Sequence, residues 1–135
     1  MSATRQIRHV VRFDAKPRAI YQALMNSKKH TAFTGAPAKI DARIGGRFSA
    51  WGPHLSGVNV ELVKNKRIVQ AWRAANWPKG HYSIASFELK RASGGTMLVF
   101  TQTGIPAKSA RNINTGWKTH YWQLLKKAFG KKKRR

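Results

Sequence analysis

The feature that most restricts the fold is a run of short alternating segments that ends in one long helical pattern. Between residues 38 and 103, apolar and polar residues alternate in segments separated by turns rich in glycine, proline and asparagine. This pattern predicts strands over 38–42, 47–51, 56–63, 67–76, 81–91 and 96–103. Strands at hairpin spacing indicate an antiparallel meander and argue against a parallel sheet with crossover helices.

The N-terminal part of the chain predicts one strand and two short helices. Strict alternation predicts a strand over residues 4–13. Apolar residues at helical spacing then predict a helix over 17–25. Ser27, as a cap, predicts a second short helix over about 28–33, which ends before Thr34-Gly35-Ala36-Pro37. Lys16 lies at the N-cap of the first helix, where its side chain cannot accept a hydrogen bond from the free N–H groups.

The last predicted element is a helix of about 20 residues, which would span roughly 30 Å. It begins near Ser109, after Gly104-Ile105-Pro106 is predicted to stop the preceding strand, and Gly130 is placed to end it. Its apolar face consists of Ile113, Trp117, Tyr121, Leu124, Leu125 and Ala128, widened by Trp122 and Phe129. The length suits a sheet face, so we expect this helix to lie across the meander in an α+β fold.

The charge balance of the chain is one-sided. The sequence has 27 Lys+Arg and 4 Asp+Glu in 135 residues, a formal net charge of +23. So few acids exclude calcium loops and carboxylate-bridged metal pairs. A cationic surface attracts polyanions, so we expect non-specific electrostatic binding of RNA or DNA that weakens with salt. The residues predicted to bind polyanions are Lys64, Lys66, Arg67, Lys79, Lys118, Lys126, Lys127, Lys131, Lys132, Lys133, Arg134 and Arg135.

Length and composition indicate a single domain over residues 1–130, with 131–135 as a basic, disordered tail. The absence of cysteine excludes disulfides and thiolate nucleophiles. No signal-peptide pattern and no apolar run of transmembrane length occurs, so we expect a cytoplasmic protein without a transmembrane segment. Self-repulsion of the charge favours a monomer.

No pattern of residues indicates a catalytic or metal centre. The five histidines are scattered without a zinc-binding spacing, although His81 and His120 are expected near a cavity mouth. No nucleophile elbow accompanies the serines. We therefore predict a non-enzymatic protein with no metal and no cofactor. The alternative is a cryptic enzyme in which His81 or Glu88 does acid–base work.

Several motifs resemble one protein family in order and spacing. They are GGRFS at 45–49, SG at 56–57, RIVQAWR at 67–73, WPKGHYS at 77–83, TQTGIP at 101–106, GW at 116–117 and YW at 121–122. Over about residues 5–129 the chain resembles the single-domain relatives of the activator of the 90-kDa heat-shock protein ATPase, in the START-like (SRPBCC) superfamily. The resemblance implies a helix-grip fold, whose sheet wraps round the terminal helix and often encloses an apolar cavity.

The resemblance implies a binding role, either for a small apolar ligand between helix and sheet or for a chaperone partner. Two-domain relatives carry a further N-terminal domain that contributes to ATPase stimulation, and we expect this chain to lack it. Fold alone does not decide function within this superfamily. The expected cavity wall is Trp72, Phe87, Phe100, Ile113, Trp117, Tyr121 and Leu124.

The chain departs from this family in surface charge while its motifs are intact. Around residues 64–66, at Lys79, at Lys108 and along the last helix, Lys, Asn or Gln stands where relatives are expected to carry acids. This pattern resembles a deliberately supercharged scaffold. The alternative origin is a natural basic member of the family, and the alternative function is natural, sequence-tolerant nucleic-acid binding.

Overall fold

The computed structural model describes residues 3–129, and its strands form one seven-stranded antiparallel sheet in the order β1-β7-β6-β5-β4-β3-β2. The strands are β1 (Thr4–Phe13), β2 (Ala38–Ile40), β3 (Arg47–Ala50), β4 (Leu55–Val63), β5 (Arg67–Ala74), β6 (Ser83–Ala92) and β7 (Gly95–Pro106). The meander runs from β2 to β7, and β1 then pairs with β7. The first strand is therefore one edge of the sheet, and β2 is the other.

Two short helices and one long terminal helix complete the fold. The short helices are α1 (Pro17–Met25) and α2 (Ser27–Thr34). After a 3-10 turn, the terminal helix (residues 110–129) consists of α3 (Ala110–Trp117), a π-helical turn (Lys118–Trp122) and α4 (Gln123–Phe129). This arrangement confirms the predicted α+β helix-grip fold. No helix within residues 3–129 has the length and apolar character needed to cross a membrane.

The π-helical turn changes which residues of the terminal helix face the sheet. Residues five apart share a face in such a turn. Accordingly, the Trp117 and Trp122 rings stack with centroids 5.4 Å apart and planes at 21°. Both indoles and Leu125 are buried, whereas Ala128 is exposed, so its predicted place on the apolar face is wrong. Gly130 and the tail 131–135 lie outside the described residues.

Strand β7 continues through the segment predicted to end it. Ile105 and Pro106 pair with Arg5 and Thr4 of β1, and Ile105 is fully buried. Gly104 adopts a φ of +82°, and the pairing register of the two strands is irregular nearby. A glycine at positive φ bends this strand without ending it, because β1 still pairs with the backbone of β7 beyond the glycine.

The cap of α2 also differs from its prediction. Asn26, not Ser27, is the N-cap, and its side-chain oxygen accepts from the Lys29 N–H at 3.0 Å. The Ser27 hydroxyl instead accepts from the Ile40 N–H at 2.8 Å, which fixes β2 beside the helix. Lys16 is the N-cap of α1, as predicted, and makes no side-chain capping bond.

Candidate functional site

The terminal helix packs its aromatic side chains on one face of the sheet around Trp117. Its ring centroid lies 4.4 Å from that of Phe100 and 5.6 Å from that of Trp72. The buried Trp117 Nε1–H donates to Gln102 Oε1 at 2.7 Å, and Gln102 Nε2 donates to Ser83 Oγ at 2.8 Å. Because these buried polar groups satisfy one another, they hold the indole in one orientation.

The space between helix and sheet is almost filled by this packing. A void of about 20 Å³ remains, with Phe87, His30 and Tyr121 among its lining residues. That volume holds about one water molecule. The helix–sheet interior is therefore a packed core rather than an open cavity for a ligand.

A larger cleft opens beside the core, between the terminal helix and the turn that joins β3 to β4. This aromatic cleft has a volume of about 330 Å³. Pockets for small molecules start at about 300 Å³. Its lining residues are Trp51, His54, Leu55, Trp72, Asn112, Ile113, Gly116, Trp117, His120 and Tyr121. A Cβ added at Gly116 would meet nothing within 4 Å, so this glycine leaves open space on the helix side.

The aromatic cleft contains a buried indole N–H without a well-aligned hydrogen-bond partner. Trp51 Nε1 is buried, lies near the Tyr121 hydroxyl and makes no hydrogen bond of good geometry. Trp51 has a φ of +56°, which is unusual for a bulky residue. An unsatisfied buried donor costs about 1–3 kcal/mol. An acceptor atom on a ligand would remove that cost. His54 and His120 are exposed at the mouth, and the His120 ring centroid lies 5.2 Å from that of Trp51.

A buried His–Tyr pair lies behind the cleft. His30 Nε2 and the Tyr121 hydroxyl are 3.0 Å apart, and both side chains are buried. Burial lowers the pKa of His30 to about 4 and raises the pKa of Tyr121. Both groups are therefore neutral at pH 7, and neither is poised to exchange a proton there.

The other histidines serve hydrogen bonds within the fold or face solvent. His9 Nδ1 accepts from Trp122 Nε1 at 2.8 Å, so its Nε2–H donates to Asn114 Oδ1 at 2.7 Å. His81 Nε2 donates to the Gly104 carbonyl at 2.8 Å and does not line the cleft, whereas His120 does. Within residues 3–129, no three His, Asp or Glu side chains are grouped to hold a metal ion.

The residues predicted to form the cavity wall do not all line one space. Trp72, Ile113, Trp117 and Tyr121 line the aromatic cleft. The other predicted residues lie elsewhere: Phe87 beside the small void, Phe100 against Trp117 in the core, and Leu124 away from both spaces.

Sequence reasoning missed the side of the cleft that the β3–β4 turn supplies. Trp51, His54 and Leu55 lie around Gly52-Pro53, which the pattern marks only as an interruption between strands. A signal for the helix side was available. Asn112, Gly116 and His120 recur every four residues and form a stripe next to the aromatic one.

Each of the four carboxylate side chains is paired with an arginine. The pairs are Arg12–Asp14, Arg43–Asp41, Arg67–Glu61 and Arg67–Glu88. The Arg43 guanidinium, through hydrogen bonding above all, lowers the pKa of Asp41. Within residues 3–129 the other lysines and arginines have no carboxylate partner, so their charge faces solvent uncompensated.

The cations predicted to bind polyanions are spread over several elements. Lys64 and Lys66 lie in the β4–β5 turn, Lys79 follows β5, and Lys118, Lys126 and Lys127 are exposed on the terminal helix. Arg67 begins β5 and is bound to two glutamates. The five predicted residues of the tail 131–135 lie outside the described part of the chain.

Comparison with known sequences places the chain near chaperone ATPase activators. The family model described as "Activator of Hsp90 ATPase homolog 1-like protein" matches residues 14–130. The human activator of 90 kDa heat shock protein ATPase homolog 1 is 33% identical over 118 residues, which are 87% of this chain and 35% of the human protein. The Dictyostelium discoideum homolog is 32% identical over 118 residues, 31% of its length. The chain thus spans about a third of these relatives.

Solved structures share the fold. An HSP90 activator from Plasmodium falciparum superposes with a TM-score of 0.87 at 22% identity, covering 94% of this chain and 99% of that one. The Aha1 dimer from Colwellia psychrerythraea gives a TM-score of 0.76 at 22% identity, covering 90% and 93%. With the family model matching residues 14–130 and the human relative 33% identical, the chain belongs to the Activator of Hsp90 ATPase homolog 1-like family.

Proposed function

We propose that this protein is a non-enzymatic binding domain whose aromatic cleft takes a small, flat, apolar molecule with one hydrogen-bond acceptor. The observation that carries the proposal is the cleft of about 330 Å³, walled by Trp72 and Trp117, in which the buried Trp51 N–H makes no well-aligned hydrogen bond. Ring faces supply contact area and the N–H supplies orientation. The neutrality of His30 and Tyr121 supports binding rather than acid–base catalysis.

A matched pair of neutral ligands tests the role of the Trp51 N–H. We expect 2-acetylnaphthalene to displace the neutral fluorophore N-phenyl-1-naphthylamine, and to bind about fivefold more tightly than 2-ethylnaphthalene, since a hydrogen bond contributes about 1 kcal/mol. Trp51→Phe should bind both ligands equally. If Trp51→Phe still binds 2-acetylnaphthalene more tightly than 2-ethylnaphthalene, the ligand's acceptor atom is bound by a donor other than Trp51.

A blocked cleft tests where the ligand binds. Gly116→Leu places a side chain in the open space beside the cleft and should abolish displacement of the fluorophore. Thr115→Leu changes an exposed neighbour that does not line the cleft, so it is the control and should bind like the parent. Equal binding by parent and Gly116→Leu would contradict the cleft proposal.

We propose further that the surface binds RNA or DNA by non-specific electrostatics, whatever the origin of its charge. The pairing of all four acids with arginines supports this, because it leaves most cations of the described chain uncompensated. Titrations of structured and scrambled RNA at 50 and 200 mM salt should show steep weakening and no sequence preference. A sequence preference that survives high salt would favour natural nucleic-acid recognition instead.

Family membership adds a chaperone partner to the proposal. The human relative is named as an activator of a 90 kDa heat shock protein ATPase, and this chain matches 35% of it. We propose that the chain binds a 90-kDa heat-shock protein without hydrolysing ATP itself. Calorimetric titration at 300 mM salt measures this, because screening suppresses non-specific attraction to acidic surfaces. If no binding to the heat-shock protein is measured at this salt, any binding at lower salt is charge attraction alone, and the chaperone proposal is wrong.

A cytoplasmic location and a monomeric state complete the proposal. The net charge of +23 opposes self-association, whereas the Colwellia psychrerythraea relative is named as a dimer. Sedimentation velocity at low and high salt should show one monomeric species in both. A dimer at either salt would contradict the monomer.

A further inference from the structure

A second concave surface lies where three elements distant in sequence meet. This basic groove has a volume of about 630 Å³ and lies between the start of α1, the β4–β5 turn and the end of β6. Six cations line it: Lys16, Arg18, Lys66, Arg67, Lys90 and Arg91. Its acidic lining residue, Glu88, is bound by Arg67, which also binds Glu61, so these three side chains together add no positive charge to the groove.

The cations are concentrated in the basic groove beyond their share of the chain. Five of its eleven lining residues are Lys or Arg without a carboxylate partner, against 19 of the 127 residues that the structure describes. A comparison cleft of about 470 Å³ beside β1 and the terminal helix has three of eight: Arg8, Lys118 and Lys126. A concave surface lined mainly by one sign of charge focuses its field, so the groove attracts anions more strongly than the general surface does.

The start of α1 adds a second attraction for anions in the same place. The N-cap, Lys16, makes no capping bond, and the first turn contains no acidic residue. The Thr96 hydroxyl donates to the Ala15 carbonyl at 2.6 Å and so holds this end of the helix against β7. Pro17 has no N–H, and the Ala19 and Ile20 N–H groups donate to the Lys16 carbonyl, so the attraction comes from the helix dipole, which Lys16 and Arg18 oppose. A bound anion would offset the positive end of the helix dipole and the charges of Lys16 and Arg18.

We propose that the phosphate groups of a single-stranded nucleic acid bind in the basic groove. This proposal rests on the polyanion binding inferred above and locates it on the surface. None of the described residues lining the groove is aromatic, so bases have no stacking platform there. The contacts are therefore to phosphate and carry no sequence information. The concave shape fits a strand rather than the flat surface of a membrane.

Two variants with equal loss of charge test the location. The groove variant is Arg18→Gln, Lys66→Gln and Lys90→Gln, and the control is Arg8→Gln, Lys118→Gln and Lys126→Gln in the comparison cleft. All six side chains are exposed, so circular dichroism should show both variants folded. The probe is a fluorescent oligothymidylate of about 20 nucleotides, followed by anisotropy across a salt series.

We expect the groove variant to bind at least about tenfold more weakly at 100 mM salt, with a salt slope lower by about 2, since each phosphate contact on a single strand contributes about 0.7. The control should weaken by less than about threefold. Equal weakening of both variants overturns the groove and leaves general polyanion binding standing. Failure of the parent to bind overturns both proposals. The same variants are also tested on phosphatidylserine vesicles. If the groove mutations weaken vesicle binding more than oligothymidylate binding, the groove is a membrane site, and the nucleic-acid proposal is overturned.

Discussion

The aromatic cleft and the basic groove are held in place by different parts of the molecule. The cleft is walled by Trp72, Trp117 and Tyr121, which are buried and also pack the core. The groove is lined mainly by exposed lysines and arginines whose positions depend on the backbone beneath them. Changes in the cleft should therefore alter stability and binding together. Changes in the groove should alter binding with little or opposite effect on stability.

The largest effect is expected at the core side of the cleft. Trp117→Ala should lower the free energy of unfolding by about 4 kcal/mol, as a large buried aromatic side chain is lost. Trp117→Phe keeps a ring against Phe100 but leaves Gln102 Oε1 without its donor, and should cost about 2 kcal/mol. Urea denaturation measures both. A loss below about 1 kcal/mol for Trp117→Ala would show that this residue does not organise the core.

The buried histidine behind the cleft should make stability depend on pH. Folding lowers the pKa of His30 from about 6.5 to about 4, so the unfolded chain binds the extra proton between these values. Stability is therefore full above about pH 6.5 and falls as the pH drops, by roughly 2 kcal/mol at pH 5 from this group.

Urea denaturation of His30→Gln, whose amide can still bond the Tyr121 hydroxyl, isolates this contribution. The stability difference between pH 7.5 and pH 5 should shrink by that amount in His30→Gln. An unchanged difference would mean that other groups cause the pH dependence.

At the groove, stability and binding should move in opposite directions. Lys16→Asp supplies an acceptor at the N-cap of α1 and a charge that suits the helix dipole, so stability should rise by about 1 kcal/mol. The same change should weaken oligothymidylate binding. Lys79→Asp makes the same charge change in an exposed turn and is the control for both measurements. A stability gain as large in the control would trace the effect to net charge.

The smallest expected effect is one methyl group at the cleft. Gly116→Ala should raise the free energy of unfolding by about 0.5 kcal/mol, because alanine restricts the unfolded chain and its Cβ meets nothing within 4 Å. The methyl also narrows the cleft, so 2-acetylnaphthalene should bind less tightly. Thr115→Ala, on an exposed position of the same helix, should leave binding unchanged. Tighter ligand binding by Gly116→Ala would show that the ligand does not contact this part of the helix.

Regular alternation and helical spacing made most elements predictable. The predicted strand over 4–13 and helix over 17–25 match β1 and α1 residue for residue. The continuation of β7 through Gly104-Ile105-Pro106 was not predictable from local sequence, because these residues usually end strands and only β1 supplies the pairing. The π-helical turn was missed for a similar reason, since its stacked indoles are selected by packing on the sheet.

The candidate sites were predictable only where their residues belong to a periodic pattern. Trp117 and Tyr121 were found because they repeat along the terminal helix. Trp51 was missed because its place in the cleft depends on a turn with positive φ. A turn conformation has no period that a pattern search can detect.

The sequence by itself determined the order of the elements, the aromatic face of the terminal helix and the sign of the surface charge, because these depend on residue type and local spacing. Only the tertiary structure decided that the helix–sheet interior is filled while a cleft remains beside it. It also decided that Lys16, Lys66 and Lys90 surround one groove. The docking of the helix and the pairing of the strands set such proximity, because they bring together residues that lie far apart along the chain.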